Sequence, residues 1–142
     1  MQWNQDRSFG FLLKEVSRRY EIRFERRART LSLTLSASRA LAVLIRNQGV
    51  SQSGLSELTN IEPMAMVRVL DRLERMGYIT RKPDPKDRRA RILKTTPAAE
   101  EVVKRIWEMS DQTRAQAFDG ISDEERERFI ATLIRIGRNL ES

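Results

Sequence analysis

Between Ser51 and Thr96 the hydrophobic pattern changes its period, and the change falls at Gly77. Before it, apolar residues recur every three or four positions. After it, "YITRK" and "ARILKT" alternate branched and polar side chains. The first spacing describes a helix and the second a strand. The helical part is itself divided. Ser51 is an expected N-cap for a short helix with Leu55 and Leu58 inward. Asn60 tolerates a left-handed backbone and allows a sharp turn. Pro63 then opens a helix, "PMAMVRVLDRLERMG", where its missing N–H costs nothing. Val67, Leu70 and Leu73 form its expected buried face. The segment is therefore predicted to fold as helix, tight turn, helix and two-stranded hairpin with Pro85 at the tip.

Helices are expected on both sides. Phe9, Leu12, Leu13, Val16, Tyr20 and Phe24 line one face of a long first helix, whose other face carries Arg18, Arg19, Arg23, Arg26, Arg27 and Arg29. Ser36 is the expected N-cap of a second helix, running to about Asn47 with Leu41 and Leu44 inward, and Gly49 ends it. Thr96-Pro97 starts a further long helix, with Val102, Val103, Ile106, Met109, Ser110, Thr113 and Ala117 on one side. Asp119-Gly120 stops it. Ser122 and Glu125 match a capping box. The last helix is expected to bury Phe129, Ile130, Leu133, Ile134, Gly137 and Leu140. The order is four helices, a hairpin and two helices in a single unit, 1–142. This is a mainly α fold with a small β-hairpin.

Charge narrows the function. Residues 1–96 carry 20 basic and 10 acidic side chains, a net +10, whereas residues 97–142 carry 7 and 10, a net −3. One part suits a polyanion and the other does not. Cysteine and histidine are absent, which removes disulfides, thiolate nucleophiles, the usual zinc sites and the commonest general base. The acid pairs Asp84/Asp87 and Asp123/Glu125 have no histidine, metal motif or phosphate loop beside them, so no enzyme and no cofactor is expected. No apolar run approaches membrane-span length, and the start of the chain has no basic-then-apolar signal pattern. A cytoplasmic protein, nucleoid-associated when bound to DNA, is the expectation.

A helix-turn-helix followed by a basic hairpin is a winged helix-turn-helix. The second helix of such a pair can enter the major groove and offer its first turns to base edges. Met64, Ala65, Arg68, Asp71 and Arg72 face solvent there, with Arg68 the candidate for a guanine edge or a nearby phosphate. The hairpin supplies arginine for a narrow minor groove. Arg88 and Arg89 lie just past the tip, and Arg81, Lys82 and Lys86 suit flanking phosphates. Ser36, Ser51 and Ser53 complete the expected DNA-contacting set. The acids inside the hairpin need a role, and Asp87 has Arg89 and Arg91 within reach on sequence grounds.

The stretch "LDRLERMGYITRKPDPKDRRARILKTTPAAEE", Leu70 to Glu101, resembles the recognition-helix and wing signature of the MarR family of dimeric transcription regulators, with "DRRA" at 87–90 its most specific element. "IEPMAMVRVLDRLE" and "DRRARILKTT" look most like the SlyA branch. The resemblance extends over nearly the whole chain. It implies a winged-helix lobe at 31–96 and dimerisation helices at 1–30 and 97–142. By position it implies that Arg88 enters the minor groove, that Asp87 pairs with a wing arginine, and that Arg68 lies on the DNA side. It also implies a homodimer acting on a pseudopalindromic double-stranded operator as a repressor or anti-silencer. Many relatives respond to small aromatic acids, and the matching positions include Arg18 and Ser38. Arg18 reads either as a carboxylate anchor or as a solvated helix-face arginine. Serine stands at 38 where relatives often have a bulky aromatic, Thr95 replaces a usual leucine, and Ala99 a frequent glycine. Two other readings fit the charge: a nonspecific architectural DNA binder and a winged-helix module that docks an acidic protein.

Overall fold

A computed structural model describes residues 4–141. Helix α1 spans Phe9–Arg27 and ends in a 3-10 turn, Ala28–Leu31, closed by Ser32 in the left-handed region (φ 53°). Helix α2 is Leu35–Leu44. Its N-cap is Thr34, not Ser36. The Thr34 hydroxyl accepts from the Ala37 N–H at 3.1 Å, and Glu25 takes the Leu35 N–H at 3.0 Å. With Leu35 already satisfied, the helix begins before Ser36, and it ends at Leu44, short of the expected Asn47. Gly49 then turns the chain at φ 83°.

Helix α3, Gln52–Thr59, is capped by Ser51, whose hydroxyl accepts from the Gly54 N–H at 3.0 Å. Asn60 adopts φ 56°, ψ 29°, as a left-handed interhelical turn requires. Helix α4, Pro63–Arg75, buries Met66, Leu70 and Leu73. Val67, expected inward, is 43% exposed. Positions 66, 70 and 73 make the i, i+4, i+7 stripe against the core, and Val67 lies about 100° round the helix from it. Leu58, also expected inward, is exposed.

Gly77 (φ 81°) starts the hairpin: β1, Ile79–Asp84, pairs antiparallel with β2, Asp87–Thr95. Ile79 faces Thr95, and Asp84 faces Asp87 across Pro85-Lys86. The strands thus run closer to the tip than the alternation suggests. The outer edge of β2 is partly paired: Gly49 N–H donates to Leu93 O at 2.8 Å, and Leu93 N–H to Val50 O at 2.9 Å.

Helix α5, Ala98–Ala117, buries Ala99, Val102, Val103, Ile106 and Thr113. Its buried apolar residues pack with Phe24, Leu41, Leu44, Leu55, Leu70, Leu73, Ile79 and Leu93 in one core. Helix α6, Asp123–Asn139, starts as expected, with Ser122 accepting from the Glu125 N–H. Its apolar face does not bury: among the described residues Phe129, Ile130, Ile134 and Leu140 are exposed, while Leu133 is half-buried. Phe9, Leu12, Leu13 and Val16 on α1 are exposed too, and only Phe24 of that face is buried. The apolar spacing is real, but no element among the described residues covers it. No helix among the described residues is long and apolar enough to cross a membrane.

Candidate nucleic-acid interface

Helix α4 presents Met64 (81% exposed), Ala65 and Arg68 to solvent at its N-terminal half. Pro63 lets the helix start abruptly after Glu62, so these side chains stand clear of the turn. Arg68 has no hydrogen-bond or ion-pair partner among the described residues. Arg72, one turn on, is exposed but tethered: its guanidinium donates to Ser32 O from Nη2 and Nε.

Arg81 differs from the expectation that it meets phosphate. It is bonded to Asp71 Oδ1 and Glu74 Oε1, both at 2.8 Å, and its side chain is 22% exposed. The hydrogen bond to Glu74 raises the Arg81 pKa and holds the Glu74 carboxyl below its ordinary range. Arg81 is thus a strut fixing β1 to the recognition helix, with its charge already neutralised.

The hairpin tip is organised by its two acids. Asp84 Oδ1 accepts from the Lys86 N–H at 2.8 Å, and Asp87 Oδ1 from the Arg89 N–H at 3.0 Å. Such side-chain-to-backbone bonds two residues on fix a turn. Asp87 forms no ion pair with an arginine among the described residues, so the expected side-chain pairing is replaced by a backbone one. The main-chain N–H is the nearer donor, and Arg88, Arg89 and Arg91 remain exposed to solvent. Lys82, Lys86 and Lys94 are exposed as well. None of these cations is in an ion pair among the described residues.

Between the wing and α3 lies a groove of about 380 Å³, lined by Ser51, Ser53, Ser56, Arg89 and Arg91 among others. Ser51 and Ser53 hydroxyls are 3.2 Å apart. The buried Ser56 hydroxyl has no partner among the described residues. Ser36 lies apart from this groove, half-buried in the first turn of α2.

A second cavity, about 200 Å³, sits between α1, α2 and α5, with Tyr20, Ser38, Arg39, Trp107 and Ser110 in its wall. Ser38 is buried, and its hydroxyl is unpartnered among the described residues. Arg46 stacks its guanidinium 5.3 Å from the centre of the Trp107 ring. Arg18 is not in this wall. It is exposed and bonded to Glu15 at 2.8 Å, and with Arg19 it holds the Glu15 carboxyl down to about 2. The cation at the cavity is Arg39, which periodicity alone does not single out. Gln48 and Glu74 also escape sequence reasoning, because their roles depend on partners that folding brings near.

Among the described residues no group of three or more His, Cys, Asp or Glu converges as a metal site. A MarR family profile matches residues 31–90. Among solved structures, a MarR-family transcriptional regulator from Silicibacter pomeroyi is 27% identical, with a TM-score of 0.80 over 97% of this chain and 93% of that one. A probable transcriptional regulator from Pseudomonas aeruginosa is 26% identical, with a TM-score of 0.86 over 94% and 99%. A structure of MarR is likewise 26% identical, with a TM-score of 0.85 over 98% and 95%. The profile thus falls on the winged-helix segment, and the chain is similar in fold to these MarR-family structures along nearly its whole length.

Proposed function

We propose that the protein is a sequence-specific, double-stranded DNA-binding transcriptional regulator without catalytic activity. The observation that carries the reading is the wing: an acid-braced turn offers Arg88, Arg89 and Arg91 unneutralised beside the exposed first turns of α4. The wing's geometry and charge suit a minor groove and its phosphates, while Met64, Ala65 and Arg68 suit the adjoining major groove. Ser51, Ser53, Lys82 and Lys86 are backbone contacts in this reading, and Ser36 a peripheral one. Residues 31–96 form the DNA-binding lobe. The relatives named as transcriptional regulators at 26–27% identity support it.

The uncovered apolar faces of α1 and α6 support a homodimer, with residues 1–30 and 97–142 as its dimerisation region. Two recognition helices then read a pseudopalindrome with half-sites roughly 34 Å apart. The protein acts in the cytoplasm as a repressor or anti-silencer, and its SlyA-like character rests on the residues at 61–74 and 87–96. The α1–α2–α5 cavity is the candidate effector site, suited to a single-ring aromatic carboxylate that Arg39 would meet and Ser38 would hydrogen-bond.

Anisotropy titration against duplexes tiled across the region upstream of its own gene tests the regulator reading. One duplex should bind far more tightly than the rest at physiological salt. Arg88→Ala should weaken that complex about tenfold and lower its salt dependence by about two released counterions, one for each copy in the dimer. Equal, weak binding to every duplex would instead favour a nonspecific architectural binder. No effect of Arg88→Ala would favour a protein-docking module.

A further inference from the structure

The outer edge of β2 is not left bare where the chain departs from it. Residues 49–51 run beside β2, and Gly49 and Val50 exchange two main-chain hydrogen bonds with Leu93. In an antiparallel ladder the next residue presenting its N–H to that side is two positions on, which is Thr95. The backbone does not reach it, because Gly49 at φ 83° has already turned the chain away toward α2. The Gln48 side chain fills the place. Its Oε1 accepts from the Thr95 N–H at 2.9 Å, and its Nε2 donates to Thr95 Oγ1 at 2.5 Å. A side-chain amide here stands in for a peptide group and extends the ladder by one rung.

Thr95 is the last residue of the wing, at the end of β2 remote from the tip. Arg88 lies seven residues away, about 23 Å at about 3.3 Å per strand residue. A rotation of about 10° at the base moves the tip by about 4 Å, more than the reach of a hydrogen bond. The remaining anchors near the base, Thr96 N–H to Tyr78 O and Thr96 Oγ1 to Gly77 O, lie on the β1 side. Gln48 is the one side chain among the described residues that hydrogen-bonds the wing base from the other side.

We propose that Gln48 is a positioning residue that sets the angle of the wing through Thr95 and thereby places Arg88 on DNA. This rests on the DNA-binding reading above. Four variants separate its parts in the full-length protein: Gln48→Ala removes both bonds, Thr95→Val removes the hydroxyl acceptor alone, Thr95→Ser restores it, and Arg88→Ala removes the tip contact. The probe is the tightest-binding duplex from the upstream region. Losing one or two hydrogen bonds of ordinary net strength predicts roughly fivefold weaker binding for Gln48→Ala and a smaller loss for Thr95→Val. Thr95→Ser should bind like wild type. On the Arg88→Ala background, Gln48→Ala should cost clearly less than in the wild type, because the lever then no longer carries its tip contact.

Amide hydrogen exchange supplies a readout without DNA: in Gln48→Ala the Thr95 amide should exchange faster while Leu93 keeps its protection. Wild-type affinity in Gln48→Ala, or an equal loss with and without Arg88, would overturn the positioning role alone. Should Gln48→Ala fail to fold, Thr95→Val and its Arg88→Ala combination distinguish the same two outcomes. Equal binding of wild type to all duplexes would overturn the regulator reading instead, and the positioning role with it.

Discussion

Arg72 on the recognition helix donates to the main-chain carbonyl of Ser32, from Nη2 at 2.6 Å and from Nε at 3.2 Å. Ser32 is a left-handed residue between the α1 extension and α2, so the contact holds α4 against a tight turn 40 residues earlier in the chain. A planar guanidinium can give two donors to one carbonyl, and an ammonium cannot match that geometry. Arg72→Ala should therefore lower unfolding stability by about 1 kcal/mol, with Arg72→Lys recovering only part. Urea denaturation measures it. A variant as stable as wild type would return Arg72 to the DNA-contacting set as a free cation.

Arg81 joins the same helix to the wing through Asp71 and Glu74. The Arg81 hydrogen bond is the main reason the Glu74 carboxyl ionises below its ordinary value of 4.5. A carboxylate lowered in the folded state contributes stability that is present above its unfolded value and lost as pH falls through the folded one. The contribution is thus whole at neutral pH and disappears on the acid side of 4.5. In Arg81→Ala the Glu74 carboxyl resonance should titrate at higher pH, and the acid arm of the stability curve should be shallower. An unchanged Glu74 titration would mean that the strut does not persist in solution.

These two arginines mark where sequence reading stops. Ser51, Asn60, Pro63 and Gly77 are legible because a cap, a left-handed turn and a first-turn proline are decided within a few residues. The hairpin is legible from its alternation. Arg72 and Arg81 look like free cations in the sequence because their partners are fixed only when α4 meets Ser32 and β1 folds back on α4. Asp87 reads as the partner of an arginine side chain, whereas the closer donor is the Arg89 backbone. In "TLSAS" several hydroxyls could cap, and the choice of Thr34 over Ser36 depends on Glu25 reaching Leu35 from another helix. The apolar face of α6 is legible as apolar, but periodicity does not say which molecule covers it.

Ser38 carries a buried hydroxyl with no partner among the described residues in the α1–α2–α5 cavity. An unsatisfied buried polar group costs about 1–3 kcal/mol that an apolar replacement avoids. Ser38→Ala should leave the free protein as stable as wild type or raise its melting temperature. If the cavity takes an aromatic carboxylate, the same substitution should weaken that ligand several-fold while improving the unliganded protein. Calorimetric titration with salicylate or benzoate, beside a thermal melt, gives both numbers. Destabilisation by Ser38→Ala would show that the hydroxyl is satisfied in solution.

Phe129 and Ile134 are 51% and 52% exposed on α6, a helix with no buried residue. In a lone chain that exposure has a cost with no return, whereas across a two-fold axis each copy's face can cover the other's. A stable interface needs about 800 Å² per partner, and the exposed Phe9, Leu12, Leu13 and Val16 of α1 add apolar surface to that of α6. A charge placed in such an interface is desolvated without a counter-ion and is strongly unfavourable. Ile134→Glu should therefore convert the protein from a dimer to a monomer by light scattering at micromolar concentration, while the helical signal in circular dichroism persists. Because the side chain is outside the core of its own subunit, a loss of folding is not expected from the substitution itself. On the proposed two-half-site reading, the monomer should also lose DNA affinity far more than Arg88→Ala does, since the two half-sites are no longer engaged together. A dimer that survives Ile134→Glu unchanged would show that this face is not where the two copies meet.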